Sequence, residues 1–135
     1  MGRRKGARAL VVGEATYRWT VCHRHHVARA DGGTPRCGER LVVRRDAAPG
    51  RLEIVFMGGP GRVVPDGLLH SGGVATGDGY LNLHRPGAVR ALLDEALARG
   101  WRPTDPRHVE CDGWNLFDGA VARLRAAESV ATTPP

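Results

Sequence analysis

The sequence PGAVRALLDEALARGW, residues 86–101, decides the fold of this chain because it is the clearest amphipathic helix in it. Its apolar residues recur at the spacing of one helical stripe, and they are Val89, Leu92, Leu93, Ala96 and Leu97. Pro86 suits the first position of a helix, and Gly100 suits the position just beyond its end. We therefore predict a helix over residues 86–99, and this helix needs another layer to cover its apolar stripe.

Strand patterns on both sides of the helix supply that layer. Short or alternating apolar runs predict five strands, one helix, a sixth strand and a second helix, over residues 9–12, 15–22, 41–45, 51–57, 80–83, 86–99, 107–111 and 114–127. This β-β-β-β-β-α-β-α order predicts an α+β fold, in which a small antiparallel sheet of about five to six strands carries helix 86–99 on one face. We expect a single α+β domain over residues 8–127, with a basic disordered tail at 1–7 and another disordered tail at 128–135. Residues 23–38 and 58–79 interrupt the strand patterns and are expected to be irregular.

The charge of the chain is unevenly distributed. The sequence has 20 Lys and Arg against 14 Asp and Glu, and residues 1–45 hold eleven of these basic residues but only three of the acidic ones. Such asymmetry can indicate a polyanion partner, and the candidate nucleic-acid-binding residues are Arg3, Arg4, Lys5, Arg18, Arg40 and Arg44. The alternative is GC-rich coding bias, because all of the basic residues except Lys5 are arginine.

The three cysteines, Cys22, Cys37 and Cys111, are too few for a disulfide framework. The apolar run at residues 9–12 is too short for the core of a signal peptide, and no run approaches the length that spans a bilayer. We therefore expect a reduced, cytoplasmic protein that does not engage a membrane.

Five possible metal ligands lie close together in the sequence, and they are Cys22, His23, His25, His26 and Cys37. Structural zinc is bound by four N or S ligands in a tetrahedron, and Cys22, His25, His26 and Cys37 are the candidate set. The spacing contains neither C-x2-C nor H-x3-H, so the alternative is an exposed His/Arg loop with two cysteines nearby. Elemental analysis of the purified protein for zinc distinguishes the two.

No reaction centre is evident. His70 and Ser71, with Asp66 or Asp78, have the residue types of a hydrolytic triad, but the motif G-x-S-x-G is absent. The glycine-rich stretches at 58–61 and 72–79 lack the spacing of a phosphate-binding loop and are expected to be turns. We predict no catalytic residue, and no cofactor besides the candidate zinc.

These observations favour a small, non-catalytic domain that binds another macromolecule. A protein partner is the leading hypothesis, nucleic-acid binding through the basic N-terminal half is the alternative, and a metal-dependent enzyme is the third. The segments YRW at 17–19, GWRP at 100–103 and DGW at 112–114 resemble segments of short proteins from high-GC bacteria. That resemblance implies no activity.

Overall fold

The computed structural model describes residues 7–26, 36–65 and 72–132. Within these ranges the elements are, in chain order, β1 (Arg8–Val12), β2 (Ala15–His26), β3 (Arg36–Arg45), β4 (Arg51–Met57), β5 (Gly73–Ala75), β6 (Tyr80–Asn82), α1 (Pro86–Ala98), β7 (His108–Asp112) and α2 (Trp114–Thr132). The predicted α+β class is confirmed, and the predicted order of strands and helices matches except that six strands, not five, precede α1.

Five strands form the main sheet, in the order β1-β2-β3-β4-β7, while β5 and β6 form a separate two-stranded sheet. The pairs from β1 to β4 are antiparallel, but β7 runs parallel to β4, so the sheet is mixed and not purely antiparallel as predicted. The connection explains the difference, because the chain forms β5, β6 and α1 before β7 and can return in the direction of β4.

The register of the sheet gives it one covered and one open face. Trp19, Val43 and Leu52 lie opposite one another across β2, β3 and β4, and all three belong to the apolar core together with residues of both helices. We call this side the helical face. The other side, the open face, displays Arg18 and Arg44, which are exposed. Side chains alternate between the two faces along each strand, so alternate residues of β2, β3 and β4 contribute to the core on the helical face.

Helix α1 ends in a complete Schellman motif. The N–H of Trp101 donates to the carbonyl of Ala96 at 3.0 Å, and the N–H of Gly100 donates to that of Leu97 at 3.1 Å. Gly100 has a φ of 106°, which glycine adopts without steric cost. The start of the helix is weaker, since Arg85 provides no side-chain cap. The end predicted for this helix from Gly100 and Trp101 is therefore correct, and Trp101 is buried against the core.

Helix α2 packs against α1 and against the end of β4. The ring of Phe56 makes edge contacts with Trp114 and Phe117, with centroids 5.1 and 6.5 Å apart. Across the helix pair, Arg123 Nε lies 2.7 Å from Glu95 Oε1. Gly119 leaves the space that the Glu95 carboxylate occupies, because a Cβ there would lie 2.4 Å from Glu95 Cδ. A glycine that weakens the helix pattern thus permits close helix packing.

Four elements differ from the sequence predictions. β2 continues through His26 and β3 begins at Arg36, so part of the stretch 23–38 is sheet and not irregular. Strand β5 was not predicted within 58–79. Helix α2 continues to Thr132 and not to residue 127, so residues 128–132 are helical where a disordered tail was predicted.

Candidate functional sites

The arginines proposed for nucleic-acid binding differ in their availability. Arg18 is exposed, but its Nε lies 3.1 Å from Asp46 Oδ1, and the hydrogen bond and charge of Asp46 raise the pKa of Arg18. Arg40 is only 16% exposed, and its Nη1 lies 3.0 Å from Glu53 Oε1. Arg44 is exposed, directly opposite Arg18, and no ion pair joins it to another described residue. Arg3, Arg4 and Lys5 lie outside the described residues.

The proposed zinc ligands are largely beyond the described side chains. Cys22 is exposed and lies opposite Arg40 in the register. The backbones of His25 and Cys37 are paired directly across β2 and β3, but the side chains of His25, His26 and Cys37 lie outside the described residues. Among the side chains that are described, no group of three or more His, Cys, Asp or Glu is arranged to hold a metal ion. The zinc hypothesis therefore remains a prediction.

Of the residues considered for a hydrolytic triad, Asp66, His70 and Ser71 lie outside the described residues. Asp78 is exposed, and its backbone N–H donates to Thr76 Oγ1 at 3.3 Å. The stretch 58–61 forms a tight turn, in which Gly59 and Arg62 exchange backbone hydrogen bonds.

A buried carboxylate on the helical face was not predicted from the sequence. Glu39 is fully buried and forms an ion pair with Nδ1 of His23, its neighbour across the sheet. Its other oxygen, Oε2, accepts the backbone N–H of Gly72 at 3.0 Å. The ring of His84 packs on the other side of Gly72, where a Cβ would lie 2.5 Å from His84 Cδ2. Glu39 thus joins the sheet to the segment that precedes β5, a role in packing two layers together.

A second buried carboxylate organises the open face. Glu53 accepts hydrogen bonds from Arg40 at 3.0 Å and from His108 Nε2 at 2.8 Å, and Arg51 Nη2 lies 3.6 Å away. Burial by itself would raise the pKa of Glu53, but the bonds from Arg40 and His108 outweigh burial and hold that pKa below its ordinary value. These ion pairs tie β3, β4 and β7 together and neutralise the arginine at the centre of the open face.

Strand β7 is an edge strand with unpaired backbone groups. On its other side β7 is bonded to β4. The N–H of Arg51 in β4 donates to the carbonyl of Arg107, and the N–H of Gly113 donates to the carbonyl of Val55 in β4. Backbone groups of successive residues in a strand point to opposite sides, so those of His108, Glu110 and Asp112 face away from β4. No other strand of residues 7–26, 36–65 or 72–132 pairs with this side. A row of free donors and acceptors therefore lies at this edge.

A cavity of about 630 Å³ lies on the helical face of β7. Val109 and Cys111 of the strand form its floor together with Leu52, and the ends of both helices form its walls. Its remaining lining residues are Ala96, Arg99, Gly100, Trp101, Arg102, Asp105, Arg107, Asp112, Asn115 and Leu116. We call this space the helical-face cavity. Its volume lies within the range of small-molecule pockets in proteins, and its lining combines apolar and charged side chains.

A second cavity, of about 510 Å³, lies on the open face of the same strand. It is lined by Arg40, Val55, Met57, Arg62, Glu110, Cys111, Asp112 and Trp114. We call it the open-face cavity. The Arg62 guanidinium sits 5.7 Å from the centroid of the Trp114 ring, whose Nε1 donates to the carbonyl of Met57 at 2.8 Å. Strand β7 is thus bordered by a cavity on each face, and both cavities include Cys111 and Asp112.

The thiol of Cys111 in this region is not an activated nucleophile. Burial, and then the charges of Asp112 and Glu110, raise its pKa to about 11, so it is protonated at neutral pH. A nucleophilic cysteine requires the opposite shift.

No helix in the described part of the chain is both long and apolar enough to cross a bilayer. No protein-family model matches the sequence, and neither a curated protein nor a solved structure is significantly similar to it. The function must therefore be inferred from the two cavities and the strand between them.

Sequence reasoning missed this site because its residues come from five separate segments of the chain. Val109 and Cys111 alternate with three polar residues, which is a readable strand signal. Nothing local in the sequence shows that this strand is an edge, or that the helix ends stop short of covering it.

Proposed function

We propose that this protein is a protein-binding module that adds an extended segment of its partner to the free edge of β7. The observation that carries the proposal is the cavity on each side of an unpaired edge strand. In strand addition, main-chain hydrogen bonds supply affinity, while pockets for alternate side chains supply specificity.

The geometry of an added strand matches the two cavities. The outward backbone groups of His108, Glu110 and Asp112 are available to an incoming chain. Successive side chains of that chain would point to opposite faces of the extended sheet, so one side chain would enter the helical-face cavity and the next the open-face cavity. A single strand therefore uses both cavities at once.

The lining of the cavities indicates the side chains of the partner. On the helical face, Val109, Leu52 and Leu116 favour an apolar residue. On the open face, Glu110 is 60% exposed, but its Oε1 lies 3.6 Å from Arg40 Nη1. Arg62 and Asp112 line the same cavity, so charges of both signs favour a polar residue of the partner there. We propose a partner segment in which apolar and polar residues alternate.

The proposed partner is a protein and not a nucleic acid, because two of the three described candidate arginines are already paired with carboxylates. Arg44, beside Arg18 on the open face, is the observation that keeps nucleic-acid binding as the second candidate. The proposal also assigns the protein to the cytoplasm, with the free thiols Cys22 and Cys111 as its support.

The test is selection from a library of displayed short random peptides, followed by affinity measurements on matched variants. Glu110→Pro removes an N–H that faces the open edge and no bond to β4, so the fold is expected to survive. We expect selected peptides to alternate apolar and polar residues and to bind Glu110→Pro at least about tenfold more weakly, a loss of about 1.4 kcal/mol. Glu110→Ala retains the N–H and controls for the lost side chain.

Three results would reject the proposal. One is a library that yields no binding peptide, and another is a set of peptides that bind wild type and Glu110→Pro equally. The third is salt-sensitive binding of labelled DNA or RNA that is lost in Arg44→Ala, which would establish the nucleic-acid alternative instead.

A further inference from the structure

Strand β1 forms the opposite edge of the main sheet, and it is more apolar than β7. Its sequence, RALVV, has one charged residue, no proline and no bulge. No strand of the described residues pairs with its outer side. Val11 is 66% exposed, the highest value among the exposed large hydrophobic residues of the described chain. An open and largely apolar edge, with Arg8 as its one charged residue, is a template for pairing with another strand.

The hairpin geometry shows which backbone groups are free. Val12 and Ala15 flank a two-residue turn, in which Gly13 has the positive φ, 62°, of a type II′ turn. The residues that flank such a turn, here Val12 and Ala15, form a hydrogen-bonded pair. Because hydrogen-bonded and non-hydrogen-bonded pairs alternate along an antiparallel ladder, the backbone groups of Leu10 also bond to β2. The N–H and C=O groups of Ala9 and Val11 therefore face outward.

This pattern is complementary to itself. If two copies of β1 run antiparallel with Leu10 opposite Leu10, the Ala9 of each copy lies opposite the Val11 of the other. Each of these pairs then has its free groups in position to exchange both hydrogen bonds. The exposed Val11 side chain packs beside Ala9 on the open face, while each Arg8 lies opposite Val12 and far from the other Arg8. No like charges are opposed.

Self-pairing of β7 is opposed in one register. Two antiparallel copies centred on Glu110 would place the two Glu110 carboxylates opposite each other, which is unfavourable.

We infer that two copies of this protein associate through antiparallel pairing of their β1 strands, in the register centred on Leu10. The contact joins the two five-stranded sheets into a single ten-stranded sheet with a two-fold axis. A five-residue strand pair buries less than the roughly 1,200 Å² of a stable interface, so the dimer forms at high protein concentration and dissociates on dilution. This inference does not depend on the proposed function at β7.

Disulfide trapping tests the register. In a protein whose three native cysteines are replaced by alanine, Leu10→Cys places two thiols on Cα atoms about 4.5 Å apart, within disulfide range. Val11→Cys is the matched control, because the same register places its two Cα atoms about 8 Å apart, beyond that range. We expect covalent dimer from Leu10→Cys and none from Val11→Cys under mild oxidation. Equal crosslinking of the two, or none from Leu10→Cys in folded protein, would overturn the inference.

Sedimentation equilibrium of the unmodified protein provides an independent test. We expect Val11→Lys to weaken the dimer at least about tenfold, because it adds a charge beside the axis and removes apolar contact. Val63→Lys, at another exposed valine, should leave the dimer unchanged. Wild-type protein that stays monomeric at millimolar concentration would contradict the inference, as would a Val11→Lys dimer of wild-type strength.

Discussion

Glu53 shows how a buried carboxylate can connect three strands of a sheet through its ion-pair contacts. Its carboxylate is nearly inaccessible, yet it contacts Arg40 and His108 and lies near Arg51. If one charged partner is removed from such a set, the remaining buried charge is left unpaired. The resulting loss of folding free energy is larger than the net stabilisation that the intact ion pair provides.

We expect Glu53→Gln to lower the free energy of unfolding by about 2 kcal/mol at pH 7. Since the folded-state pKa of Glu53 lies below the ordinary value of 4.5, its contribution is complete above that pH and is lost as the pH falls through the folded-state pKa. The difference between wild type and Glu53→Gln should therefore shrink below about pH 4.5. Urea denaturation between pH 7 and pH 3 measures it. Glu110→Gln, on an exposed residue, should have a small effect throughout, and a pH-independent difference for Glu53→Gln would contradict the expectation.

Gly113 is required by its contact with Phe56. A Cβ at this position would lie 2.5 Å from the Phe56 ring, which is buried and held by Trp114 and Phe117. We expect Gly113→Ala to destabilise the protein by about 1–3 kcal/mol through overpacking. Thermal unfolding of Gly113→Ala measures the effect. Gly59→Ala is the control, because a Cβ at Gly59 meets nothing within 4 Å and the substitution changes only the backbone freedom. Equal melting temperatures for the two variants would show that the ring moves at little cost.

At the scale of elements, helix α1 was predictable because its stripe, its first residue and its terminal glycine all indicate the same boundaries. Strands β2 and β3 were predicted too short, because the His/Arg sequence after Val21 lacks the alternation that marks a half-buried strand. The register shows why they continue: His23 lies opposite Glu39, and this polar pair takes the place of an apolar contact. Strands β2 and β3 are therefore extended by a contact between them, which the sequence of neither strand shows by itself.

The end of α1 supports a prediction at this scale. Gly100 has open space around the position of a Cβ, so Gly100→Ala tests backbone strain alone. We expect a loss of about 1 kcal/mol, because alanine tolerates a φ of 106° poorly. Chemical denaturation measures the loss. Gly77→Ala, which is equally open but has no positive φ, should be near neutral, and an equal loss in both would exclude strain as the cause.

For the whole molecule, the sequence indicated the α+β class and the layer arrangement but not the order of the strands. The position of β7 beside β4 depends on packing between residues more than fifty positions apart, such as Leu52 and Val109. The cavities beside β7 were therefore beyond prediction as well. Arg18 and Arg44 are exposed on the open face, but the carboxylates that neutralise Arg18 and Arg40 come from other strands or turns.

Amide hydrogen exchange should report this strand order. We expect the slowest exchange in β3, which is paired on both sides and contributes the buried Leu41 and Val43 to the core. The outward amides of Ala9 and Val11 should exchange rapidly in dilute protein and slow down at millimolar concentration. Exchange measured by NMR at two concentrations checks this, and amides of β1 that are equally protected at both would contradict it.

The parallel pairing of β4 with β7 has a consequence for folding of the chain during its synthesis on the ribosome. Strands β1 to β4 can assemble as local hairpins, but the partner of β4 is synthesised only after β5, β6 and α1. Until then the edge of β4, with Leu52, Ile54 and Phe56, lacks its neighbouring strand, and helix α2 follows later still. Contacts so distant in sequence form slowly and leave apolar strands open to misassembly. We expect the nascent chain to depend on chaperone protection during the interval between the emergence of β4 and that of β7.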